Sequence, residues 1–158
     1  MAMITSTRRA WSLAGLAVVL LTAAGSGCDE AGFGGLFETL TVELANETDY
    51  PVDPGLYADD DDHTFLESNI RADENFVDVG IIPPWSSRRI TLNCDEAGTM
   101  MTYRARQIRD FIDWISENDP IVYEDGDFDC HDTISFVFRD NFFEFYTRVE
   151  VNGRVIVD

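Results

Sequence analysis

The chain has 158 residues, of which 30 are Asp or Glu and 11 are Arg, with no Lys, for a formal charge of −19 at pH 7. A surface of that sign repels phosphate backbones and anionic head groups, so it argues against nucleic acid and against direct adsorption to an anionic bilayer, and favours cations or basic peptides. The same excess keeps an exported domain soluble without any ligand, so charge alone names no partner.

Arg8 and Arg9 precede an apolar run from Ala10 to Ala24 that ends in the small residues Gly25-Ser26-Gly27. Basic, apolar and small-residue regions in that order predict a secretory signal peptide over residues 1–27. The run falls short of the about 20 apolar residues that a membrane-crossing helix needs, so cleavage is expected rather than a permanent span. Cys28, directly after the small residues, resembles the lipobox of bacterial lipoproteins, although Gly25 stands where that family usually has Leu. In such proteins this cysteine receives a diacylglyceryl group and becomes the mature N-terminus. The resemblance implies an extracytoplasmic, membrane-anchored protein whose partner through Cys28 is the lipid bilayer. Cleavage near Gly25 or Gly27 without lipid, giving a soluble secreted or periplasmic protein, is the alternative.

Residues 28–35 are small and Gly-rich and read as a flexible tether. Residues 36–158 are then expected to form a single β-rich domain. Removing the signal takes two Arg and no acid, so nine basic residues face thirty acidic ones and the mature charge is −21.

Phe37 to Asn46 alternates Leu40, Val42 and Leu44 with Thr39, Thr41 and Glu43, the period of a half-buried strand. Asn46 to Asp49 is turn chemistry, and Pro51 and Pro54 assign Tyr50 to Tyr57 to a sheet edge or an irregular extended segment. Phe76 to Ile82 predicts a strand with Val77, Val79 and Ile81 on one face. Pro83-Pro84-Trp85 breaks it, and Ser87 to Asn93 predicts the next strand with Ile90 and Leu92 inward. This strand, proline turn and strand resembles the connections of immunoglobulin-like sandwich domains of bacterial surface proteins. The resemblance implies a mainly β fold, an antiparallel sandwich, and no activity.

Ile108, Phe111, Ile112 and Ile115 have helical spacing, with Arg106–Asp110 and Arg109–Asp113 as i,i+4 pairs and Asp119-Pro120 as a stop, which predicts one short helix over 106–117. Thr99 to Arg106 reads as a strand before it, and Ile121 to Tyr123 as another after it. At the C-terminus, a two-residue turn at Asp140-Asn141 would set Phe138 opposite Phe143, Phe136 opposite Phe145 and Ile134 opposite Thr147. All of these Phe are then assigned to the core. Asn152-Gly153 predicts a second hairpin that returns as Arg154 to Val157, with Val149 facing Ile156.

Two acidic runs are the candidate metal ligands. Asp59, Asp60, Asp61 and Asp62 are consecutive and point in different directions, so they supply part of a calcium site at most. Asp125, Asp127 and Asp129 keep the alternate spacing that opens an EF-hand loop, but Cys130 stands where the glycine belongs and Phe136 where the bidentate Glu belongs. His63 and His131 lack a partner histidine at ligand spacing, which argues against zinc and against histidine-based catalysis. No serine elbow or phosphate-binding glycine loop is present.

An odd cysteine count in an exported chain resolves if Cys28 carries lipid and Cys94 pairs with Cys130. The expectation is therefore a non-catalytic binding or structural module of the cell envelope that needs no cofactor and meets an unknown envelope protein or a cation. A calcium-dependent binding module is the first alternative, and a small hydrolase with an acidic cleft is the second.

Overall fold

The computed structural model describes residues 38–61 and 67–158. The predicted signal and tether, Cys28 among them, lie outside the described residues, as do Asp62 and His63. The strands are β1 (Thr39–Asn46), β2 (Val52–Asp53), β3 (Leu56–Asp59), β4 (Phe76–Val77), β5 (Ser86–Asn93), β6 (Thr99–Thr102), β7 (Arg106–Gln107), β8 (Trp114–Ile115), β9 (Ile121–Tyr123), β10 (Thr133–Asp140), β11 (Phe145–Val151) and β12 (Arg154–Val157). A single turn of helix, α1 (Glu67–Ile70), falls between β3 and β4. Among the described residues no helix is long and apolar enough to cross a membrane.

The period-two pattern of the first strand does what it predicts: Leu40, Val42 and Leu44 are buried while Thr39, Thr41 and Glu43 stay half-exposed. β1 is interior to a five-stranded sheet of order β12-β11-β10-β1-β5. It pairs antiparallel with β5 on one side and parallel with β10 on the other, Val42 lying beside Ile134 and Leu44 beside Phe136. That parallel pair corrects the expectation of a wholly antiparallel fold. β1 and β10 are joined by nearly all the intervening chain, so the two strands meet with no tight turn to impose an antiparallel course.

The intervening chain forms a four-stranded sheet, β4-β3-β6-β9, and a small three-stranded one, β2-β7-β8. β6 is buried at all four positions, with Met100 and Met101 on opposite faces. One buried cluster joins Leu40, Val42 and Leu44 to Leu56, Met100 and Val122 and to Ile134, Phe136 and Phe138. Burying each of these Phe stabilises the fold by about 2 kcal/mol.

Three sequence expectations fail, each because tertiary pairing overrides local pattern. Residues 106–117 are a hairpin and not a helix: Arg106 sits opposite Ile115 and Gln107 opposite Trp114. The backbone of Ile108 donates to Pro51 O and that of Ser116 to Ala105 O, so these amides are satisfied by extended chain and not by a helical turn. Arg106 reaches Asp53 and Asp113 instead of Asp110. In Phe76 to Ile82, only β4 is strand. Gly80 takes φ +68°, which buries Val79 and Ile82 and turns Ile81 outward.

The third is the aromatic hairpin. Its register places Phe138 opposite Thr147, Phe136 opposite Val149 and Asp140 opposite Phe145. Phe145 remains in the core, but Phe143 leaves it, because a four-residue loop, 141–144, replaces the two-residue turn. Asn141 builds that loop by accepting the amides of Phe143 and Glu144 on its side-chain oxygen, at 2.8 and 3.0 Å. The Asn152-Gly153 turn forms as expected, both residues having positive φ. An irregularity between Val149 and Glu150 then sets Val157, and not Ile156, opposite Val149.

Gly55 takes φ +56°, and a Cβ there would sit 2.4 Å from the carbonyl oxygen of Tyr103. Left-handed strain adds to that overlap with fixed backbone, so Gly55→Ala is expected to lose about 3 kcal/mol. Urea unfolding of the two forms checks it, and a loss below about 1 kcal/mol would show that β3 shifts freely.

Candidate functional site

The five-stranded sheet has two chemically different ends. At the first, Thr39 begins β1 opposite Asn93, the last residue of β5, and β10 begins at Thr133 close by. Cys94 follows β5 and Cys130 precedes β10, and the two form a disulfide with Cα atoms 5.7 Å apart. The bridge joins the ends of the two strands that flank β1.

Both candidate acidic runs emerge near this end. Asp59 pairs with Thr99, and Thr99 with Tyr123, so the runs after β3 and β9 leave the same edge of the four-stranded sheet with β6 between them. Their carboxylates serve their own turns. Asp59 accepts the amide of Asp61, Asp127 that of Tyr123, and Asp132 that of Asp129. Asp125 and His131 occupy turn positions with φ of +59° and +76°, and Asp129 is exposed. Among the described residues no three His, Cys, Asp or Glu side chains stand close enough to hold a metal ion. Asp59 and Asp60 line an open groove of about 580 Å³ with Glu74, Glu96, Asn75 and Phe76. Among the described residues, its wall carries carboxylates and an aromatic edge but no nucleophile beside a base.

The opposite end begins where Asn46 pairs with Ser86 on one side and Phe138 on the other. Three loops meet there, and among the described residues they carry the five large apolar side chains that are most exposed: Trp85 at 68%, Phe111 at 97%, Ile112 at 74%, Phe142 at 87% and Phe143 at 82%. Single exposed apolar residues are ordinary, whereas their collection at one pole is not.

The loops are rigidly mounted. Arg109 carries the 108–113 loop: its guanidinium lies 3.5 Å from the centre of the Trp114 ring and 4.5 Å from that of Tyr50. The same group donates to Gln107 Oε1 at 2.7 Å and to Asp140 at 3.0 Å, and buried Gln107 donates to Asp140 at 2.8 Å. Asp140 leads into the 141–144 loop, so one charge cluster fixes the bases of both loops. Trp85, at φ +52°, donates its indole N–H to Asp49 at 2.8 Å. Asn118 covers the exposed edge of β11 by donating to Thr147 O and accepting Thr147 N.

Sequence reasoning assigned these residues elsewhere. The two-residue turn places Phe143 in the core, and helical spacing groups Phe111 and Ile112 with Ile108 and Ile115. Asn141 directly before Phe-Phe, an Asx-turn former at the head of a loop, is the signal that points to the longer connection. The chain matches no protein-family model, no curated protein and no solved structure.

Proposed function

We propose that the chain is an exported cell-envelope protein, anchored by lipid on Cys28, whose domain is a non-catalytic binding or structural module. The observation that carries this reading is the Cys94–Cys130 disulfide. Such bridges persist in oxidising compartments outside the cytoplasm, and this one uses two of the three cysteines and leaves Cys28 for the lipid. The Arg8-Arg9 and apolar segment before Cys28 supplies the export signal the reading requires.

The finer fold in this proposal is an immunoglobulin-like sandwich. It is supported by the single buried cluster, to which the five-stranded and four-stranded sheets both contribute. The module character rests on the exposed aromatic pole.

Metabolic labelling with a fatty-acid analogue tests the anchor. The wild-type protein is expected to incorporate label and Cys28→Ala to incorporate none. Equal incorporation by the two, or none by either, would leave simple secretion in its place.

A further inference from the structure

We infer that the pole formed by Trp85, Phe111, Ile112, Phe142 and Phe143 is a docking surface for a protein partner that offers an apolar cleft rimmed by Lys or Arg. The inference deepens the reading of the domain as a binding module and rests on it.

Three observations converge. The first is area. Four of the five side chains are aromatic, and each such side chain brings roughly 150–250 Å² of surface, so the pole presents on the order of 700 Å². That total is close to the about 800 Å² per partner of a stable protein interface.

The second is preorganisation. The Arg109–Asp140 cluster and the Asn141 turn hold the two Phe-bearing loops in place before anything binds. Loops whose bases are already fixed lose less entropy on docking.

The third is charge. Asp110 is adjacent to Phe111, Glu144 to Phe143, and Glu117 lies beside the 141–144 loop, its backbone N–H donating a hydrogen bond to Phe145 O. Among the described residues none of these three is in an ion pair. An acidic rim around an apolar centre selects a basic rim on the partner. It also disfavours the other occupants. A second copy would bring the same acids face to face, and an anionic bilayer would repel them.

The topology gives the pole a direction. β1 runs eight residues from Thr39 to Asn46, about 25 Å at strand spacing, so the pole lies at the far end of the sheet from Thr39.

The test uses the natively exported full-length protein and a synthetic amphipathic Leu/Lys peptide as the probe, measured by surface plasmon resonance. Comparators are a Ser/Lys peptide of the same charge and neutral phosphatidylcholine vesicles. The Leu/Lys peptide is expected to bind at least about tenfold more tightly than the Ser/Lys peptide, the loss typical of removing an interface's central aromatics. The double variant Phe111→Ser with Phe143→Ser is expected to lose that advantage while its melting temperature stays that of the wild type. A second variant, Asp110→Asn with Glu144→Gln, keeps the rings and is expected to weaken binding about threefold with a shallower salt dependence.

Equal affinity for the two peptides, or full binding by the double Ser variant, would overturn the proposal by assigning the effect to bulk charge. Preference for the vesicles would replace it with a membrane surface. Dimerisation abolished by the Ser variant would replace it with a second copy. None of these outcomes alters labelling at Cys28, so failure of the docking surface and failure of the envelope anchor are read separately.

Discussion

Replacing Cys94 and Cys130 together with Ala is expected to lower the unfolding free energy by about 4 kcal/mol and the melting temperature by on the order of 15 °C. The bridge spans a sequence separation of 36 residues, and releasing a loop of that size returns to the denatured chain the entropy from which that figure follows. The enclosed segment contains β6 to β9, four short strands that supply two of the three strands of the small sheet and half of the four-stranded one. β7 and β8 have two residues each and would be marginal by themselves. In the folded state, the bridge fixes the ends of β5 and β10 on either side of β1. Guanidinium unfolding of the oxidised wild type and of the double variant measures the effect. The variant should show a lower midpoint together with a steeper dependence on denaturant, because its unfolded chain expands further. A midpoint loss with no change of slope would locate the effect in the folded state, where Cys94 is buried. A melting shift below about 3 °C would show that the pairing does little for stability.

What the sequence made legible follows from where local pattern and tertiary demand agree. β1 lies where alternation puts it, because its Leu40, Val42 and Leu44 face packs on other chain and the pattern records that, and β9 and β12 occupy the spans that turn residues bound. The Asn152-Gly153 turn is equally local, since both residues must take positive φ. The disulfide followed from compartment and arithmetic alone. The aromatic pole was hidden by the same rules. Four apolar residues at helical spacing in 108–115 carry no mark of the partner strands that capture Ala105, Gln107 and Ser116. A one-sequence reading also gives a Phe to the core by default, and here Phe138 and Phe145 obey while Phe142 and Phe143, in the same stretch, do not. The difference lies in a loop length set by the Asn141 hydrogen bonds. The parallel pairing of β1 with β10 was beyond reach for another reason: it joins segments about ninety residues apart, and no local pattern encodes which distant strand will be a neighbour.

Asn46→Ala is expected to destabilise the domain by about 4 kcal/mol, although the substitution removes only a few atoms. Asn46 ends β1 with 1% of its surface exposed, and its side chain holds the aromatic pole's base together. Nδ2 donates to Tyr50 O at 2.8 Å, Ile82 O at 3.1 Å and Pro83 O at 3.0 Å, so two protons serve three carbonyls. Oδ1 accepts the Thr48 amide at 3.0 Å and its hydroxyl at 2.8 Å. The turn after β1, the 82–83 segment that leads to Trp85, and Tyr50 under Arg109 are thereby tied to one side chain. Alanine leaves Pro83 O and the Thr48 amide without their side-chain partner and takes one of two partners from Tyr50 O and Ile82 O, and the cost is the loss of solvation for each that stays dry rather than the net worth of one hydrogen bond. Thr48→Ala removes a smaller set, the hydroxyl's contacts with Asn46 and Tyr50, and is expected to cost about 1 kcal/mol. Thermal unfolding of both variants gives the ranking, and amide hydrogen exchange locates it. In Asn46→Ala the amides of Thr48, Tyr50, Val52 and Ile82 should exchange faster while those of β10 and β11 move only with global stability. Equal losses for the two variants would mean that water replaces the Asn46 side chain and that the pole is held by the Arg109 cluster alone.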